Sequence, residues 1–126
     1  YDADPHSTYR ALAKKVNEAG LAYIEVVEDS FQGNHETGRP ESVIDAIREE
    51  FSGVYIGNGA YSREEAIERV ESGRCDLVSF GRPIIANPDL VERFRRNAPL
   101  NEWDHSTFYG GDERGYTDYP TLDETP

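Results

Sequence analysis

The sequence predicts an α/β protein with parallel strands, a portion of a (β/α)8 barrel. Short apolar strands alternate with helical stretches, the pattern that gives parallel pairing through right-handed crossovers. In the run from Val54 to Leu90, VYIGNGAYSREEAIERVESGRCDLVSFGRPIIANPDL, two consecutive strands end in glycine turns on one edge of the sheet. That pair is the usual phosphate cradle of such barrels. The chain has 126 residues, about half of the roughly 250 that a closed barrel needs.

Each element has its own warrant. A first helix is expected over Ser7 to Ala19, where Tyr9, Leu12, Ala13 and Val16 recur at helical spacing and Gly20 follows as the closing residue. The strand AYIEVVE, Ala22 to Glu28, comes next. A polar loop from Asp29 to Arg39 then belongs to the active face if the fold is a barrel. The next helix, Pro40 to Glu50, has proline in its first turn and places Val43, Ile44 and Ile47 on one face. A short strand, Val54 to Ile56, leads into the turn Gly57-Asn58-Gly59. Ser62 and Glu65 stand three apart as a capping box, and that helix ends near Ser72 with Gly73 behind it. A last strand, Asp76 to Phe80, precedes Asn87-Pro88 and a short helix over Asp89 to Arg96.

Beyond Ala98 the periodicity disappears, and the tail is an irregular segment with five aromatic residues among turn-formers. The expected division is therefore 1–97, the barrel portion, and 98–126, a tail packing on it. Three parallel strands do not close a barrel, and a lone sheet of this kind leaves an exposed edge on each side. The chain reads as a piece of a larger polypeptide or of a pair of chains, with a small self-sufficient open α/β domain as the alternative.

Composition excludes some partners. The formal net charge is -12, from 25 acidic against 13 basic side chains, whereas nucleic acid and anionic membrane both call for a positive footprint. No run reaches the roughly 18 apolar residues of a spanning helix, and the opening residues YDADPHSTYR have no signal-peptide character. Cys75 is the one cysteine, so no intrachain disulfide forms, and its place before an apolar strand marks a small buried filler. A soluble, cytoplasmic protein is expected.

Gly57 and Gly59 allow a tight turn whose amides converge on an anion, with Asn58 offering a side-chain amide or a positive φ. A plain strand-to-helix turn is the structural alternative. Gly81-Arg82 adds weight, because it ends the following strand, where an adjacent loop reaches the same ligand. Arg82 offers a planar five-donor guanidinium suited to phosphate, and Pro83 stiffens the exit; a rim salt bridge is the other reading of Arg82. Glu25 and Glu28 lie three apart and so on opposite faces of their strand. Glu25 is expected inside or against a helix, a position that requires a partner, and Glu28 is expected as a ligand contact or loop anchor. His6, His35 and His105 are scattered, with no neighbouring cysteine pair, and make no metal site. Tyr109, before Gly110-Gly111, either presents a phenol to a flat ligand or lines the core.

LAYIEVVE, IGNGAYSREEA, CDLVSFGRPIIANPDL, APLN, TFYGG and GYTDYP, in this order and spacing, resemble the old yellow enzyme family, the FMN-dependent alkene reductases of the NADH:flavin oxidoreductase type. The resemblance covers essentially the whole chain and about the last third of a family member. It implies the C-terminal part of a (β/α)8 TIM barrel with noncovalent FMN at the carboxyl ends of the strands. It further implies that Gly57, Asn58, Gly59, Gly81 and Arg82 hold the FMN phosphate and that Tyr109 lines the substrate side of the flavin. Hydride would pass from NAD(P)H through FMN to an activated alkene such as an enone, nitroalkene or maleimide. The family's substrate-gripping pair, its flavin-ring contacts and its proton-donating tyrosine fall upstream of these segments, so the isolated 126-residue chain is expected to be inactive, and the three histidines do not replace that pair. A noncatalytic half-barrel, needing strands from the same or another chain, is the alternative, and a phosphate-binding barrel of other chemistry is a third reading.

Overall fold

A computed structural model of the protein describes residues 2–28 and 41–124. The polar loop expected over Asp29 to Arg39, with His35, and the helix-opening Pro40 lie outside the described residues. Two compact units divide the chain, Tyr1–Ser79 and Phe80–Pro126.

In the first unit α1 (Pro5–Glu18), β1 (Tyr23–Val27), α2 (Glu41–Glu50), β2 (Val54–Asn58), α3 (Arg63–Glu71) and β3 (Leu77–Ser79) alternate as expected. The strands form one parallel sheet in the order β1-β2-β3. Asp4 caps α1 by accepting the Ser7 amide at 3.1 Å, with proline in the first turn. The capping box of α3 is formed in full: the Glu65 amide donates to Ser62 Oγ at 3.2 Å, and the Ser62 amide to Glu65 Oε2 at 2.7 Å. α1 and α3 close alike, with Gly20 at φ 70° and Gly73 at φ 72°, the left-handed conformation that a glycine takes without steric cost.

Side-chain alternation divides the sheet. Ile24, Val26, Tyr55 and Val78 turn toward the helices and join Ala13, Val43, Ile44, Ile47, Phe51 and Cys75 in the core. The buried faces follow the helical spacing in the sequence at Tyr9, Ala13 and Val16 of α1 and at Val43, Ile44 and Ile47 of α2, while Leu12 is exposed in this chain, and Cys75 is the buried filler expected of it. Tyr23, Glu25 and Val27 of β1, in line with Val54, Ile56 and Asn58 of β2, occupy the opposite face, where Leu77 and Ser79 of β3 join them. Most of these are exposed in this chain.

The second unit contains α4 (Arg82–Ala86), α5 (Leu90–Arg96) and the tail. The sequence reading missed α4, a five-residue helix with no side-chain cap, too short to show a period. Arg82 is its first residue and Pro83 its second, so proline opens a helix here instead of stiffening a loop. The tail has only two single turns of 3-10 helix, His105–Thr107 and Leu122–Glu124. It is fastened by the buried Arg93, which donates from Nε to Asp89 at 2.7 Å, from Nη1 to the Pro99 carbonyl at 2.7 Å and from Nη2 to the Pro120 carbonyl at 2.9 Å. Asn101 adds two bonds of 2.8 Å, to the carbonyls of Ala86 and Pro120.

Candidate functional site at the carboxyl ends of the strands

The site residues expected on the first unit sit where β2 ends, but in a different conformation from the one the glycines suggested. β2 runs two residues further than expected: Gly57 pairs with Val26 and Val78, and Asn58 with Val27 and Ser79. None of Gly57, Asn58, Gly59 and Gly81 has a positive φ; the described residues that do are Gly20, Gly73, Asn97, Gly110, Gly111 and Gly115. Gly59 serves close approach instead, while Gly57 has ordinary packing distance around it. A Cβ on Gly57 would stand 3.4 Å from Glu28 Oε1 and 3.6 Å from Cys75 Sγ, and one on Gly59 would lie 2.9 Å from the Tyr61 ring. The bend of the chain comes after Asn58, over Gly59 and Ala60.

Asn58 joins two partners that the sequence did not connect. Its Nδ2 donates to Ser79 Oγ at 2.7 Å and to Glu25 Oε1 at 3.1 Å, while Ser79 Oγ donates to the same Glu25 oxygen at 2.6 Å. Glu25 is thus on the helix-free face, exposed in this chain, and not against a helix. The network ties three neighbouring strands together at their carboxyl ends and commits the Asn58 amide to the protein. Ser79 was missed. Its signal lay in the parallel register, which sets it beside Asn58, and register is not visible in the local sequence.

Glu28 lies on the helix side, its side chain 2% exposed. Tyr55 Oη donates to its Oε1 at 2.7 Å, Tyr61 Oη donates to its Oε2, and Arg69 pairs with Oε2 at 2.7 Å while lying over the Tyr61 ring. Burial, and then the hydrogen bond to Glu28, push both phenols above the ordinary tyrosine range. Burial likewise raises the Cys75 thiol, which leaves it unreactive.

A phosphate needs donors that the fold leaves free. The Gly59 and Ala60 amides donate no hydrogen bond among the described residues, and Ala60 is exposed. In the second unit Gly81 is exposed, and a Cβ built on it would meet nothing within 4 Å, so neither backbone nor packing asks for glycine there. Arg82 follows it, partly exposed. The Gly59 and Ala60 amides are donors of the kind that an anionic group takes. Tyr109 is 77% exposed in this chain and meets the Phe108 ring edge-on at 6.3 Å, while Phe108 is buried. No group of His, Cys, Asp and Glu among the described residues is arranged to hold a metal. No described helix is long and apolar enough to cross a membrane.

A parallel sheet in the order β1-β2-β3 with alternating helices is the layout of a portion of a (β/α)8 barrel. Residues 3–101 match the model of the NADH:flavin oxidoreductase / NADH oxidase family, and the chain belongs to this family, the FMN-dependent old yellow enzymes. It is 38% identical over 125 residues to 12-oxophytodienoate reductase 2 of Arabidopsis thaliana, covering 98% of this chain and 33% of that protein. To 12-oxophytodienoate reductase 7 of Oryza sativa subsp. japonica it is 42% identical over 136 residues, covering 97% of this chain and 34% of the relative. Morphinone reductase superposes with a TM-score of 0.88 at 46% identity, over 98% of this chain and 33% of that one. A second morphinone reductase structure, in complex with tetrahydroNAD, gives 0.85 at 46%, over 98% of this chain and 32% of that one. The chain thus spans about a third of the length of the relatives it matches, and its three strands are part of a (β/α)8 barrel.

Proposed function

We propose that this chain is the FMN-phosphate-binding, C-terminal portion of an FMN-dependent ene-reductase. Backbone groups at Gly57, Asn58, Gly59 and Gly81 and the Arg82 guanidinium hold the phosphate, with Tyr109 on the substrate side. The observation that carries this reading is the end of β2, where the Gly59 and Ala60 amides donate no hydrogen bond among the described residues; in the second unit Gly81, with room around it, precedes Arg82. With the chain's net charge of -12, the affinity for an anion is supplied locally by these amides and one arginine. When bound, FMN supplies the hydride chemistry between NAD(P)H and an activated alkene, and the protein's part is to bind and orient it.

The domain reading is a barrel portion over 1–97 and a packed tail over 98–126, in a cytoplasmic enzyme with no nucleic-acid or membrane partner. In the complete barrel Arg82→Ala weakens FMN binding by about 10- to 100-fold with the fold kept, the loss expected of one charge-assisted hydrogen bond; unchanged affinity removes the role of Arg82. The other reading is a noncatalytic half-barrel that pairs with another chain. Intact mass and visible absorption separate the two. A mass near three times 14.2 kDa with flavin absorbance supports the enzyme, and 14.2 kDa without flavin supports the half-barrel.

A further inference from the structure

We infer that Glu28 is the positioning residue of the phosphate-binding turn, fixing the course of Gly57 to Tyr61 from beneath the sheet without touching the cofactor. The inference rests on the FMN-phosphate reading proposed above. Two hydrogen bonds lead from Glu28 to that turn, and its carboxylate stands beside Gly57. Its backbone amide donates to the Asn58 carbonyl at 2.8 Å, which continues the β1–β2 pairing to the last residue of the strand. Its carboxylate, through Oε1, lies where a Cβ on Gly57 would come within 3.4 Å. Through Oε2 it holds the Tyr61 hydroxyl, and the tethered ring of Tyr61 lies against Gly59, 2.9 Å from where a Cβ would project.

The Gly59 and Ala60 amides sit between these fixed points, at Asn58 on one side and Tyr61 on the other. Their direction is therefore set by one buried carboxylate and its three partners. Arg69 pairs with the Glu28 carboxylate at 2.7 Å, so the buried charge has its counterion beside its two phenol donors. A preformed set of amides binds an anion without ordering a loop, and a released set loses that advantage.

Riboflavin provides the test, because it has the ring and ribityl chain of FMN without the phosphate. In the complete barrel polypeptide, Glu28→Gln and Tyr61→Phe are each titrated with FMN and with riboflavin. Tyr61→Phe keeps the ring and removes only the tether, so it decides the matter if Glu28→Gln fails to fold. The expected result is a loss of about tenfold or more in FMN affinity with riboflavin affinity unchanged. Equal weakening of both ligands, or of neither, overturns the inference, since a general loss of structure does not single out the phosphate. A parent protein that binds FMN no more tightly than riboflavin overturns instead the phosphate reading on which the inference stands.

Discussion

Tyr55 Oη donates to Glu28 Oε1 at 2.7 Å, two side chains from neighbouring strands meeting on the buried face of the sheet. The tyrosine is fully buried, so its hydroxyl has no water to fall back on. Tyr55→Phe leaves the Glu28 carboxylate one donor short and destabilises the fold by about 1–3 kcal/mol, readable from denaturant midpoints.

The same pair makes stability depend on alkaline pH. Tyr55 and Tyr61 have folded-state pKa values raised above the ordinary 10.0, first by burial and then by Glu28. A raised pKa contributes stability that is complete below the unfolded value and is lost as pH climbs toward the folded one. An ultraviolet titration therefore shows at least two of the eight tyrosines staying neutral through pH 10 until the protein unfolds. In Tyr55→Phe the alkaline loss is shallower. Ordinary titration of every tyrosine in the folded state would contradict both statements.

Much of the scaffold was legible because its signals are local. The capping box at Ser62 and Glu65, the glycines closing α1 and α3, and the apolar spacing of Val43, Ile44 and Ile47 all act within one or two turns. What went unread depends on neighbours far along the chain. Gly57-Asn58-Gly59 looks like a turn because glycines bend chains, yet two of the three residues are paired strand, and packing by Tyr61 is what crowds Gly59. The Glu25–Asn58–Ser79 network needs the parallel register, and the sequence separation of 54 between Glu25 and Ser79 puts it beyond any local motif. The helix α4 was missed because five residues show no period.

Asp76 gives the acid side. Its Oδ2 accepts from the Tyr55 amide at 2.8 Å and from Arg48 Nη1 at 3.0 Å, and the amide first, then the guanidinium, hold the carboxyl below its ordinary 3.8. A depressed pKa contributes stability above the unfolded value that is lost as pH falls through the folded one. Asp76→Asn lowers the denaturant midpoint at neutral pH and flattens its fall below about pH 4. Parallel acid limbs in parent and variant would refute the assignment.

Arg93 is the fastener of the second unit. Its side chain is 3% exposed, and replacing it takes the Arg93 donor from the Pro99 carbonyl and one donor each from the Pro120 carbonyl and the Asp89 carboxylate, which keep Asn101 and the Leu122 amide. Arg93→Met costs about 3–5 kcal/mol and opens the tail, which limited proteolysis reports as early cleavage beyond Ala98. Lysine does not restore protection, because one ammonium group cannot reproduce the guanidinium fork. A tail equally resistant in Arg93→Met would show that other contacts hold it.

At the start of α3 the effect is smaller. Ser62→Ala removes the acceptor of the Glu65 amide and costs about 1 kcal/mol, without altering cofactor affinity. A loss below about 0.3 kcal/mol would mean that water replaces the cap.

The face of the sheet turned away from the helices is graded along the strands. Tyr23 and Val54 lie at one end, Glu25, Ile56 and Leu77 midway, and Val27, Asn58 and Ser79 at the other, where the Glu25 carboxylate reaches Asn58 and Ser79. A ring of strands closed over such a surface is stoppered with grease at its floor and wettable at its rim. The direction from which a solute can enter is therefore written into the order of side chains on each strand, before any loop is added.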